Sequence, residues 1–284
     1  MSKAPQKVEL SEQFFPGTSE MAERMRSHNW AATSLGPPET WPQSLRTVLH
    51  IMLTTQHPMF LWWGPDLVQF YNGGYRPSLG EDRHPGALGA HGREFWHEIW
   101  PIIGPQVDRV MEHGESTWQE DALVPILRNG RMEDVYWTYS YSPILDDDGE
   151  VGGTLVLVQE TTARVLTERR ADLFRVLSEL LWTEGPPGTS IWEVASQAFA
   201  QHESDFAFVL FYAAEDGGRA LRLMARAGSI PSEVQIPEVL TVKDASSDTL
   251  GLTRILNGDE VAITDLKESG KRLYSEHWPE PLDR

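Results

Sequence analysis

No cysteine occurs among the 284 residues. That absence excludes disulfides, thiolate nucleophiles, thiolate metal sites and any cofactor attached through sulfur, and it fits a reducing compartment. Positive charge is scarce as well: 24 lysines and arginines stand against 42 aspartates and glutamates, a formal net charge of −18. A field of that sign repels phosphate backbones and anionic headgroups, so nucleic acid and membrane surfaces are not expected partners. Long apolar runs are missing. The longest, residues 206–214, is far too short to span a bilayer, and residues 1–13 lack the basic flank and apolar stretch of a secretory signal. The expectation is a cytoplasmic segment with no membrane insertion.

What is present is an ordinary globular balance, 40% hydrophobic and 23% charged, with 11 tryptophans that need cores or pockets to receive them. The length suits two domains. Leu45, Val48, Leu49 and Met52 recur at helical spacing behind Pro42, and that helix should end before His57-Pro58. Residues 59–63 and 67–71 read as strands around the turn Gly64-Pro65-Asp66, and residues 72–92 read as loop-rich. Helical turns follow over 94–100 and 102–113, divided by Pro101 and closed by Gly114. Asn129-Gly130 and Asp148-Gly149 are tight-hairpin dipeptides, so 118–127, 132–144 and 151–159 should form a three-stranded antiparallel meander. Along its middle strand Tyr136, Thr138 and Ser140 alternate with Trp137, Tyr139 and Tyr141, and the wholly aromatic face should point inward on a half-covered sheet.

From residue 162 to about 182 the chain reads as one helix, with Leu166, Leu173, Val176, Leu177 and Leu180 approximating a heptad seam that favours pairing with a second copy; packing on its own domain is the plainer alternative. Gly185-Pro186-Pro187-Gly188 ends it. Thr189 or Ser190 can cap a further helix reaching His202, followed by a hairpin over 206–227, a helix over 248–257 closed by Gly258, and a strand over 260–264.

The run Thr33-Ser34-Leu35-Gly36-Pro37-Pro38-Glu39-Thr40-Trp41-Pro42, with Trp63-Gly64-Pro65-Asp66, Tyr71-Asn72-Gly73-Gly74-Tyr75 and Ser140-Tyr141-Ser142-Pro143-Ile144, resembles PAS domains of bacterial sensor histidine kinases and hybrid kinases. Glu160-Thr161-Thr162 is similar to the polar exit motif that PAS domains place between their last strand and a signalling helix. Residues 172 onward more loosely resemble a GAF domain, notably over 253–265. The resemblance implies an α+β chain: a PAS fold with an antiparallel five-stranded sheet and flanking helices, a linker coiled-coil helix, then a partial GAF-like α+β domain. Its divisions are 1–57 (extension and helix), 58–161 (PAS), 162–184 (linker) and 185–284 (GAF-like, incomplete). It further implies the sensory input region of a two-component signalling protein, without a catalytic centre of its own, relaying a ligand or partner signal through a homodimeric helix to a downstream output domain of the histidine kinase kind. A ligand-free dimerisation or scaffold module is the alternative.

Asn72, Tyr75, Trp96, Trp100 and Tyr139 combine polar tips with aromatic walls near the cavity such a fold carries, and are the candidate ligand-binding residues; core packing, and for Asn72 a side-chain-capped turn, are the plainer readings. No catalytic, cofactor-binding or metal residues stand out. His84, His91 and His97 lack the i, i+4 spacing of helical metal ligands. Gly86, Gly89 and Gly92 have no following Lys-Ser or Lys-Thr and read as a flexible loop rather than a phosphate cradle. His202-Glu203 lacks the context of a phospho-accepting histidine, and His113 suits a helix C-terminus. The resemblance leaves haem open, through His97 or His113, and also non-covalent flavin.

Overall fold

A computed structural model describes residues 14–182, 190–202, 205–206, 208–215, 217, 220–229, 236–241, 273–275 and 278–282. The chain divides into two compact units, Met1–Val165 and Leu166–Arg284.

In the first unit the elements run α1 (Glu20–Ser27), α2 (Gln43–Thr54), β1 (Met59–Trp63), β2 (Val68–Tyr71), α3 (Arg76–Arg83), α4 (Gly92–Phe95), α5 (Trp100–His113), β3 (Thr117–Leu123), β4 (Ile126–Arg128), β5 (Arg131–Glu133), β6 (Tyr136–Leu145) and β7 (Val151–Glu160). Five strands form one sheet in the order β2-β1-β7-β6-β3, every neighbouring pair antiparallel. β6 alternates as its sequence does, with Trp137, Tyr139 and Tyr141 buried and the residues between them less so.

Half-coverage holds for β6 but not for the other edge. Every residue of β1 and β2 is buried, because the segment ahead of them folds over the outer face. Trp30 stacks on Phe70 at 4.7 Å between ring centres, Trp41 meets the same ring edge-on at 5.6 Å, and Phe15 packs against both tryptophans. Ser19 caps α1 through the Ala22 amide, and α2 is capped across the molecule by Asp147 of the β6–β7 turn, which accepts from the Gln43 and Ser44 amides at 2.8 and 2.9 Å. Both faces of β1 and β2 therefore lie inside.

Three local expectations are revised. Residues 72–92 are not loop-rich throughout: they contain α3, kinked at Gly80 (φ 73°), and their last part runs along the free edge of β2. There Gln69 N donates to Ala90 O, Gly89 N to Gln69 O and Gly92 N to Leu67 O, so the glycine segment satisfies an exposed strand edge. Pro101 does not divide two helices; it sits in the first turn of α5, where its missing N–H costs nothing. Finally, the Asn129-Gly130 hairpin is split. A bulge between Gln119 and Ala122, with Asp121 at φ 49°, interrupts the pairing of β3 with β6, and β4 and β5 leave the sheet as a separate two-stranded ribbon.

α6 (Thr162–Trp182) matches its expected span. Its first turn, in the first unit, is tied to β6: Thr161 N donates to Tyr136 O and Tyr136 N donates to the Thr162 hydroxyl. The second unit holds the rest of α6, then α7 (Ile191–Ala200), β8 (Phe208–Glu215), β9 (Ala220–Gly228), β10 (Val239–Thr241), β11 (Leu273–Ser275) and β12 (Trp278–Leu282). Ser190 and Glu193 form a capping box on α7. β8 and β9 make the expected hairpin, extended by β10. The helix over 248–257, Gly258, the strand over 260–264 and the 185–188 terminator lie outside the described residues. Among the described residues no helix is long and apolar enough to cross a membrane.

Candidate functional site

Between the inner sheet face and α4–α5 lies a cavity of about 50 Å3. Alternation along the strands aims Phe60 and Trp62 of β1, Tyr139 and Tyr141 of β6, and Val156 and Val158 of β7 into it. The helical side contributes Trp96, Ile99 and Ile103, the β2–α3 connection contributes Tyr75, the β3–β4 connection Val124, and the displaced ribbon Ile126. Trp137 ties β6 to the connection that leads into the ribbon, its indole N–H donating to Val124 O at 3.1 Å. Splitting the hairpin is thus what gives the cavity its fourth wall.

Two of the walls are held by one buried amide. Gln69 Oε1 accepts from the indole N–H of Trp62 at 2.9 Å and from that of Trp96 at 2.7 Å. Because both partners only donate, the orientation of the Gln69 amide is fixed. Its NH2 group is buried with no hydrogen-bond partner. Tyr139 OH accepts from Gln106 Nε2 at 2.9 Å. Burial pushes the phenols of Tyr75, Tyr139 and Tyr141 above the usual tyrosine range, so all three stay protonated at neutral pH.

Of the five candidate residues, Tyr75, Trp96 and Tyr139 meet at this cavity, while Asn72 and Trp100 do not line it. Asn72 is a main-chain bracket. Its Oδ1 accepts from the Met59 and Tyr75 amides, and its Nδ2 reaches the carbonyls of Met52, Thr55 and His57 at 2.8–3.2 Å. Trp100 starts α5 and lies beneath the Arg93 guanidinium at 4.8 Å. Sequence reasoning left out Trp62, Tyr141 and Gln69. Tyr141 shares the inward face already read for Tyr139, so that signal was available; Gln69 is a polar residue in a short strand, and nothing local marks it as buried.

The histidines do not converge. His97 is 78% exposed at its side chain, His113 is the last residue of α5, ahead of its C-cap Gly114 in the left-handed region, and neither lines the cavity. His84 is buried with both ring nitrogens engaged, Nδ1 with Tyr71 OH at 2.7 Å and Nε2 with Glu20 at 3.1 Å. Among the described residues no three histidines, aspartates or glutamates are grouped to hold a metal. Haem therefore finds no histidine ligand at the cavity, and about 50 Å3, room for roughly four waters, is far too little for haem or a flavin ring. Neither cofactor fits the residues present.

Residues 65–166 match the family model described as PAS fold. This segment is a PAS domain. β1 lies just ahead of the matched residues yet pairs with both β2 and β7 of the same sheet. Similar solved structures include the PAS domain of a Colwellia psychrerythraea protein (12% identity, TM-score 0.33, covering 42% of this chain and 98% of that one) and a sensory box sensor histidine kinase from Vibrio cholerae (16%, 0.29, 41% and 89%). The PAS domain of BvgS from Bordetella pertussis is a third (18%, 0.27, 50% and 100%). No curated protein matches the chain.

Proposed function

We propose that this chain is the input region of a bacterial two-component signalling protein, in which a small ligand occupying the PAS cavity biases the sheet and α6 carries that bias to a downstream histidine kinase. The observation that carries the reading is continuity: β6 and β7, which wall the cavity, are joined to α6 through Thr161 and Thr162 with a single residue between strand and helix. A relay needs an element with two arrangements biased from one end, and a helix anchored by its first turn meets that need. On this reading no reaction is catalysed within the chain, and the segment 185–284 is GAF-like by its order of capped helix and hairpin, α7-β8-β9. Dimerisation of α6 with a second copy completes the relay.

Native mass spectrometry of the whole chain, beside an Ile126→Trp variant that fills the cavity, tests this. Sprayed with a mixture of small metabolites at millimolar concentration, the first should carry a bound molecule and the second none; identical ligand-free masses would end the sensing reading. The small cavity favours the second reading, a ligand-free dimerisation module, under which Ile126→Trp leaves the oligomeric state unchanged and no ligand is found.

A further inference from the structure

The ligand class can be narrowed from the cavity's polar groups, an inference that rests on the sensing reading above. Tyr75 and Tyr141 both line the cavity, and their hydroxyls make no hydrogen bond among the described residues. A third hydroxyl, that of Tyr139, accepts from Gln106 and so keeps its own proton to donate. Tyr139 and Tyr141 lie side by side, ring centres 5.2 Å apart. Three phenols thus stand on the wall of one cavity. Everything else that lines it is apolar or indole, and among the described residues no charged side chain does.

We infer that the cavity takes a small uncharged molecule with an apolar body and a hydrogen-bond acceptor, such as a short ketone or aldehyde, held through the hydroxyls of Tyr75, Tyr139 and Tyr141. A hydroxyl left dry in an apolar cavity costs more than it returns unless something accepts from it. An anion would accept too, yet no cation lines the cavity to offset its desolvation, and an ammonium would find no carboxylate. Volume sets the size. At about four water-sized volumes, the space suits a body of roughly five heavy atoms.

Four probes of nearly equal shape separate the possibilities: 2-butanone; 2-methyl-1-butene, which replaces the oxygen by carbon; sec-butylammonium; and propionate. The readout is the pair of indole N–H resonances of Trp62 and Trp96 in 15N-labelled whole chain, assigned with Trp62→Phe and Trp96→Phe. Both indoles border the cavity and both donate to Gln69. Butanone should shift them saturably with a dissociation constant on the order of millimolar, as five heavy atoms allow. The alkene and both ions should bind at least several-fold more weakly. Tyr75→Phe and Tyr141→Phe should each weaken butanone by about three- to ten-fold. Each should leave the unfolding midpoint of the empty chain unchanged or raised, since the hydroxyl removed has no partner.

Tighter binding of propionate or sec-butylammonium would overturn the inferred class while leaving a ligand cavity in place. Equal binding of butanone and the alkene, or butanone affinity unmoved by both Tyr→Phe changes, would overturn the role of the hydroxyls. Silence from all four probes would overturn the inference together with the sensing reading beneath it.

Discussion

Asn72 shows how a residue chosen for its chemistry turns out to be spent on the fold. One side chain satisfies two amides and three carbonyls around the α2–β1 junction and the start of α3, and Gly74 beside it is so closely packed that an added Cβ would lie 2.5 Å from Gln56 O. Asn72→Ala orphans several buried main-chain groups at once, so we predict a loss of about 2–4 kcal/mol in urea unfolding, at the upper end of single substitutions. No probe that binds the cavity should recover it beyond what it gives the unaltered chain. The tyrosines behave oppositely. Burial raises the phenols of Tyr71, Tyr75 and Tyr141, so above about pH 10 the unfolded chain releases protons that the folded chain retains. Their contribution is complete below that pH and is lost as pH rises through the folded-state values. Unfolding midpoints should therefore fall steeply on the alkaline side, and Tyr141→Phe should make that fall shallower.

At the scale of elements, the β4–β5 ribbon stands apart from the five-stranded sheet. Its tip is held by Asp82, which accepts from the Asn129 and Gly130 amides. Beside the turn, Arg128 reaches back to Glu133 at 2.8 Å and to both oxygens of Glu160 at 2.9 and 3.1 Å. Hydrogen bonds from Arg128, then Arg131, hold the Glu133 carboxyl below the usual carboxylate range. The resulting stability is present above the unfolded-state value near 4.5 and disappears as pH falls through the folded-state value. Arg128→Met should cost about 1 kcal/mol at pH 7 and flatten that acid limb. Hydrogen exchange at the ribbon amides should quicken while the five-stranded sheet stays protected, and equal quickening across the sheet would refute the ribbon's independence. This ribbon also marks the limit of sequence reading. Asn129-Gly130 and Asp148-Gly149 announced both hairpins, and alternation announced the buried face of β6, because turn chemistry and pleat are local. Asp121 at positive φ is not a residue-type signal, so the bulge that throws the ribbon over the cavity left no trace. Gln69 and the Trp30–Phe70 stack were illegible for a related reason: their partners come from separate parts of the chain, and burial there is decided by tertiary contact.

For the whole molecule, the open matter is whether α6 meets a second copy. Its apolar residues are not equally free to do so. Leu173, central to the seam read from the sequence, is only 6% exposed in the single chain, whereas Phe174 next to it is 68% exposed. Self-pairing must then run along the Phe174 face rather than through Leu173. Charge opposes it, since each copy brings a formal −18 and like fields repel over about 30 Å at 0.01 M salt but only about 8 Å at 0.15 M. A dimer built on α6 should therefore strengthen as salt rises through that range, the reverse of an association driven by opposite charges. Sedimentation velocity across a hundred-fold concentration series at both salts reads this directly, and Phe174→Glu should return the chain to monomer by adding charge where apolar area is needed. A chain that sediments as monomer at every concentration and both salts would leave the relay to a single helix. In that case the anchors of its first turn, Thr161 and Thr162 on Tyr136 with the Arg164–Asp121 ion pair, would have to carry the whole coupling between cavity and output.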